Sequence, residues 1–276
     1  MKKIVRISLL LLSVISISSC VNVFSLSDLR TEALKENKGS NPNKAKQLLS
    51  EMGKAHGIEY WNTIDTYNIT FKEEFYGFLG KFSHPFKESD LTFSLSYIPK
   101  TYNGQFEFLT GEQKGTVWGI QDWQTYEKKG DQILKDEDKE KKFWIPTYQY
   151  FIEFPSRIQE ATAVDYMGQK VIDGITAEGV IASWGTVEPQ KELDQYVVWI
   201  NAETKQIIKI DYTIRDVNKF VVGVAYFKDY KNYNGLLLPS EFPVKSNLLK
   251  DGFLHKMSIK DFTINPVSKE SLMPIK

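Results

Sequence analysis

A single cysteine, Cys20, is all that this 276-residue chain offers for sulfur chemistry. It excludes an intrachain disulfide, so the fold must be held by its core alone. Histidine is nearly as scarce. His56, His84 and His255 lie far apart, with no pair at a metal-ligand spacing such as HExxH, and each reads as an ordinary surface or turn residue. No GxSxG elbow, P-loop or GxGxxG occurs. Basic and acidic residues balance at 35 each, so no cationic excess points to nucleic acid. The carboxylate pairs Glu73-Glu74 and Asp136 to Asp138 do not suggest a glycosidase, because adjacent side chains on a strand point to opposite faces; they read as solvated charges. Asn68-Ile69-Thr70 matches a glycosylation sequon, which is inert in a bacterial chain. These absences leave a chain expected not to be an enzyme and to need no cofactor and no metal.

Long apolar runs are absent too, except at the start. Lys2, Lys3 and Arg6 precede an apolar stretch from Ile7 to Ile17, too short to span a bilayer comfortably, and small Ser18 and Ser19 follow. With Cys20 next, the segment resembles the lipobox of a bacterial lipoprotein, in which the cysteine is acylated and the preceding peptide removed. An ordinary secretory signal with an incidental cysteine is the alternative. The expected organisation is a signal peptide over 1–19, a lipidated flexible tether over 20–43 and one domain over 44–276. Removing Lys2, Lys3 and Arg6 leaves the mature chain with three more acidic than basic residues. The tether is read from Glu36-Asn37-Lys38-Gly39-Ser40-Asn41-Pro42-Asn43, which is rich in turn formers and lacks periodicity.

What is present in quantity is alternation. Asn43 to Gly57 carries Ala45, Leu48, Leu49, Met52 and Ala55 at helical spacing. After Trp61 the period becomes two: Tyr67, Ile69, Phe71 and Phe75 alternate with polar neighbours. Further strands are predicted at Leu91 to Ile98, Gln105 to Leu109, Thr116 to Ile120, Trp123 to Lys128, Val164 to Ile172, Ile175 to Trp184 and Tyr196 to Asn201. Four more follow at Gln206 to Arg215, Phe220 to Tyr230, Leu236 to Ser246 and Phe253 to Ile264. Asn103-Gly104, Lys114-Gly115, Lys129-Gly130, Asp173-Gly174, Asn234-Gly235 and Asp251-Gly252 punctuate them as hairpin turns. So many sequential strands predict a mainly β fold, a single curled antiparallel sheet forming an open half-barrel, since a flat sheet of this size leaves long unpaired edges. A charged run, Lys135 to Lys142, interrupts the meander as a solvated loop or helix start. Pro146 to Phe154 follows as a short helix, with Pro155 as its end and Tyr148, Phe151, Ile152 and Phe154 on one apolar face. Its natural burial place is the concave side of the sheet.

Aromatic residues make up 13% of the chain, which suits half-buried strands and surfaces that meet apolar ligands. Phe71, Phe75, Trp118, Trp123, Tyr126, Trp144, Tyr148, Phe151 and Phe154 are the candidates to line a cavity, with plain core packing as the competing explanation. A sheet of eight or more strands encloses space that side chains only just fill, which favours a cavity in a larger open one.

The opening helix Lys44 to His56 leading into Trp61, the mid-chain helix, and the C-terminal half together resemble the LolA/LolB-like lipoprotein-localisation superfamily. In that half the resemblance is carried by Val198-Trp199-Ile200-Asn201-Ala202-Glu203-Thr204-Lys205, by Phe227-Lys228-Asp229-Tyr230 with Asn234-Gly235-Leu236-Leu237-Leu238-Pro239, and by Phe262-Thr263-Ile264-Asn265. The likeness implies an open half-barrel capped by helices over an apolar cavity, and a ligand that is a lipid, an acyl chain or a lipoprotein. It also implies an envelope protein partner. Val21 is not the aspartate that retains enterobacterial lipoproteins at the inner membrane, so the resemblance places the chain on the periplasmic face of the outer membrane, held by the acyl chains of Cys20. Helix Pro146 to Phe154 is expected to act as a lid. The alternative is a packed barrel serving envelope assembly or interaction, without a small-molecule ligand.

Overall fold

The computed structural model describes residues 25–275; the expected signal peptide and Cys20 lie outside the described residues. After a short helix α1 (Glu32–Lys35), α2 (Pro42–Ala55) begins at Asn41, whose side chain accepts from the Lys44 amide. Ala45, Leu48, Leu49 and Met52 form the buried stripe that helical spacing predicts. Gly57 takes a left-handed conformation after α2 and lies so close to the Gly235 carbonyl that a side chain there has no room.

Strands β1 (Tyr67–Phe75), β2 (Asp90–Tyr97), β3 (Gly104–Phe108), β4 (Thr116–Gln121), β5 (Gln124–Lys129) and β6 (Gln132–Asp136) form one antiparallel meander, with α3 (Gly77–Phe82) between the first two. Helices α4 (Lys139–Ile152) and α5 (Phe154–Arg157) follow. Then come β7 (Ala163–Ile172), β8 (Ile175–Ser183), β9 (Tyr196–Asn201), β10 (Ile207–Ile214), β11 (Asn218–Tyr226), β12 (Lys228–Tyr233), β13 (Leu236–Ser246) and β14 (His255–Ile264), and finally α6 (Lys269–Leu272). The sheet runs β6-β5-β4-β3-β2-β1-β14-β13-β11-β10-β9-β8-β7, with β12 paired to β13. It does not close, so the predicted open, curled sheet is what forms. β1 joins the two halves by pairing along β14, from Tyr67 opposite Ile264 to Phe75 opposite His255.

Burial alternates strictly along β1 and β2, as a sheet with one face on the core requires. β6 and β12 differ from the predicted strands. β6 is mostly exposed, and β12 splits from the predicted strand Phe220 to Tyr230 at Phe227, where Asp229 adopts a left-handed conformation. The charged run divides: its start completes β6, and Asp138 caps α4 by accepting from the amides of Glu140 and Lys141. The mid-chain helix therefore starts at Lys139, not Pro146. Pro146 sits inside it, and Pro155 opens the next helical turn instead of ending the segment.

The expected flexible tether is fastened over its described part. The Ser27 amide donates to the Lys219 carbonyl at 2.9 Å, and the Arg215 guanidinium donates to the Ser27 carbonyl at 2.6 Å. Leu34 is buried in a second apolar cluster with Ile172, Ala177, Ile181, Val197 and Trp199 on the convex face. Ser40 and the Asn41 amide then bind the Asp165 carboxylate at the β7 edge, and the chain passes into α2. Turn formers here shape a strap around the sheet edge.

Candidate functional site

Inward side chains of β1 to β4 pack ring against ring. Phe71 meets Tyr148 at 5.0 Å, Phe93 meets Phe106 at 5.1 Å, and Phe106 meets Trp118 at 5.2 Å. Phe86, from the loop before β2, lies 5.4 Å from Trp144 and 5.9 Å from Trp118. Phe71, Phe93, Phe106 and Phe108 are almost wholly buried. Helix α4 fills the concavity over them. The Tyr97 hydroxyl donates to the Ile145 carbonyl at 2.9 Å, and the Gln149 amide to the Ile98 carbonyl at 2.9 Å. Beyond its end, buried Glu153 accepts from Arg157, Gln149, Tyr67 and the Lys100 amide. Burial pushes the Glu153 carboxyl up while Arg157 opposes that shift. So anchored, α4 is a plug built into the core.

Open space lies on the other flank of α4, toward the C-terminal half. An apolar cleft of about 300 Å3 has Phe143 and Trp144 of α4 on one wall and Tyr212, Val221 and Val244 of β10, β11 and β13 on the other. Leu79 and Phe82 of α3, with Leu248, stand at its mouth. Gly223 lies beneath the Tyr212 ring, and a Cβ there meets the Tyr212 Cζ at 2.4 Å; a larger residue drives the ring into the cleft. A second cleft, of about 340 Å3, shares Phe143, Tyr212 and Ile214 and continues along α4 to Tyr150, Phe151, Tyr102 and Trp123.

His255 reaches the wall of the apolar cleft, with its Nδ1 2.8 Å from the Glu73 Oε1. Glu73 is not a solvated charge as expected: it points inward and is fully buried, while Glu74 faces out toward Lys72 and Lys256. Burial pushes the Glu73 carboxyl up, and His255 opposes the shift. Burial likewise pushes up the phenols of Tyr148 and Tyr212. His84 stacks on Phe75 at 3.8 Å, and burial lowers its pKa. His56 is no surface residue either: it is buried, its Nε2 accepts from the Ile207 amide, and its Nδ1 therefore donates to the Leu237 carbonyl. Among the described residues no cluster of three His, Cys, Asp or Glu side chains is placed to hold a metal ion.

Around the mouth lies an exposed apolar rim. Phe78 and Phe82 of α3 are each 74% exposed with rings 4.5 Å apart, and Tyr76, Leu79, Val217, Leu248 and Phe253 are exposed at the same end of the sheet. Buried Gly80 seats α3 against the Leu254 carbonyl, where a side chain has no room, so the helix is fixed with its phenylalanines outward.

The nine aromatic candidates divide accordingly. Trp144 lines the apolar cleft, and Trp123 and Phe151 line the second. Phe71, Phe75, Trp118, Tyr148 and Phe154 are packed core. Tyr126 is on the wrong side of the sheet: it pairs with Gly119 on the convex face, where its hydroxyl contacts Gln105 and the Leu272 carbonyl below α6. The expectation missed Tyr212, Val221, Val244 and His255, whose inward positions the period-two pattern of β10, β11, β13 and β14 does contain. It also missed Gly77 to Phe82, a short apolar segment.

No family model matches the sequence, and no curated protein does. Solved structures do match. An outer-membrane lipoprotein-sorting protein domain from Vibrio parahaemolyticus superposes with a TM-score of 0.52 at 11% identity, over 84% of this chain and 97% of the other. A LolA superfamily protein from Nitrosomonas europaea gives 0.50 at 8% identity, over 83% and 96%. The long antiparallel sheet left open at β6 and β7, with a helix laid in its concavity, is the fold this chain shares with those two structures.

Proposed function

We propose that this chain is a non-enzymatic, membrane-anchored binding protein of the bacterial envelope that holds a lipid, an acyl chain or the acylated end of a lipoprotein. The observation that carries the reading is the apolar cleft between α4 and β10, β11 and β13, with its exposed phenylalanine rim. At roughly 25 cal/mol per Å2 of apolar surface, shelter for one acyl chain gives useful affinity while leaving it transferable. The anchor is Cys20, acylated, on the periplasmic face of the outer membrane. Geometry supports that orientation. Ser27 is fastened to the β10–β11 turn that carries Val217, and the seven residues back to Cys20 reach at most about 25 Å, so the rim lies within reach of the bilayer.

Native mass spectrometry with lipid extraction, on the protein purified from bacterial membranes, tests this. A stoichiometric co-purifying lipid together with an acylated Cys20 peptide is expected. An unacylated peptide removes the anchor, and an empty protein that refuses added palmitate removes the ligand. The filled aromatic half favours the other reading, an envelope interaction module, and that is where an empty protein leads.

A further inference from the structure

We propose that the second cleft, between α4, the β4–β5 turn and the start of β9, receives an ammonium group, and that the lipid in the adjoining apolar cleft therefore carries an ammonium-bearing headgroup. Only the latter half rests on the lipid-binding reading.

The turn itself is the first sign. Gln121 pairs with Gln124, so Asp122 and Trp123 form a two-residue hairpin loop with φ of 49° and 66°, where Asn-Gly is the favoured sequence. A tryptophan there sacrifices stability. Its ring is not buried in return: Trp123 is 56% exposed at the edge of the cleft, 5.5 Å from Tyr102. Across from them Tyr150 and Tyr196 lie 5.7 Å apart, and both line the cleft.

Charge complements the rings. Asp194 and Asp216 line the cleft, and among the described residues neither ion-pairs. Asp194 Oδ1 accepts from Thr213 Oγ1 and the Arg215 amide, but the Arg215 guanidinium turns away to Ser27 and the Lys219 carbonyl. Lys142, also at the cleft, is paired with Glu137. Burial raises the Asp194 pKa, as an under-compensated carboxylate should show. The Arg157 guanidinium already lies over Tyr102, 4.4 Å from its centroid, so the faces of Trp123, Tyr150 and Tyr196 and the two carboxylates are what attract a further cation, most strongly a poorly hydrated one such as a quaternary ammonium. An anionic headgroup meets two carboxylates and is repelled. Phe143, Tyr212 and Ile214 wall both clefts, so headgroup and chain of one molecule can occupy them together.

The test uses the full protein purified from membranes, offered palmitate, lysophosphatidylcholine and lysophosphatidylglycerol in competition and read by native mass spectrometry. Lysophosphatidylcholine is expected to be retained about tenfold over lysophosphatidylglycerol. Trp123→Gly, which suits the left-handed turn, is expected to lose that preference while melting no lower than the parent; Asp216→Asn should weaken it. Tetramethylammonium chloride, against sodium chloride at equal ionic strength, should quench the Trp123 share of fluorescence, taken as parent minus Trp123→Gly. Equal retention of both lysolipids with no tetramethylammonium response overturns the ammonium site, and bound palmitate then leaves the lipid reading standing. A tetramethylammonium response without any bound lipid or palmitate keeps the site for a free amine and overturns the lipid reading instead.

Discussion

The two halves of the concave face solve the same problem differently. Strands β1 to β4 meet α4 with large rings at nearly every inward position, Phe71, Phe93, Phe106 and Trp118 among them, and leave no room. Strands β10, β11 and β13 meet it with Ile210, Tyr212, Val221, Gly223 and Val244, smaller on average, and the shortfall in volume is the cleft. One helix is thus bolted to a filled half and stands away from a hollow one. Open space beside α4 is set by side-chain volume on the far wall.

Truncation in the filled half should cost most. Phe106→Ala is expected to destabilise by about 3–5 kcal/mol in chemical denaturation, the usual range for a buried ring. A loss under 1 kcal/mol would mean that the aromatic half is loosely packed, and the contrast between halves would fail.

Next is a pH effect at the opposite end of the hollow half. His56 ties the end of α2 to β10 and β13, and burial lowers its pKa from 6.5 to about 4. As pH falls, the unfolded chain takes up this proton before the folded one. The contribution is complete above pH 6.5 and lost on the way to pH 4, by about 3 kcal/mol. Urea midpoints of the parent and His56→Gln should converge as pH drops from 7 to 4.5; a constant gap contradicts the assignment.

Filling the hollow half should have the smaller thermodynamic and the larger functional consequence. Val221→Phe adds volume to an open wall and is expected to shift stability by less than about 1 kcal/mol while displacing palmitate. A destabilisation as large as that of Phe106→Ala would show that the cleft collapses in solution. Smallest of all, Phe78→Ser with Phe82→Ser should leave stability within about 0.5 kcal/mol, since both rings are mostly exposed, and slow lipid transfer to vesicles.

The strands of both halves were legible. Alternation in Tyr67 to Phe75 and Leu91 to Ile98 announces strands because every second residue is large and apolar, and the open antiparallel sheet follows from their number. β6 carries no inward apolar series, so nothing in Gln132 to Asp136 marks it before its partner is known, and the first residues of β12 read as a continuation of β11 because Phe227 extends its apolar run. The start of α4 lies in the charged run, which reads equally as a solvated loop or a helix start, and Asp138 is an ordinary cap. Most of the nine aromatic candidates lie in packed core and not on a cleft wall, for a physical reason. Abundant aromatics mark where space is used up, whereas a cleft lies where Gly223 and valines leave it. Tyr126 was misplaced for a simpler one: it directly faces Gly119 across the ladder, opposite the side that Trp118 and Ile120 occupy.

The pairing of β1 with β14 has a consequence for how the chain acquires its structure. Tyr67 must find Ile264, so the seam that unites the halves waits until β14 has arrived. Contacts this distant in sequence form slowly, and until they do, the flanks of both meanders stay unpaired and prone to associate with other chains. A chain delivered from its N-terminus can assemble β1 to β6 early but holds an open seam until β14 is delivered. Truncation before Phe262 should therefore give an aggregating product, not a smaller folded one.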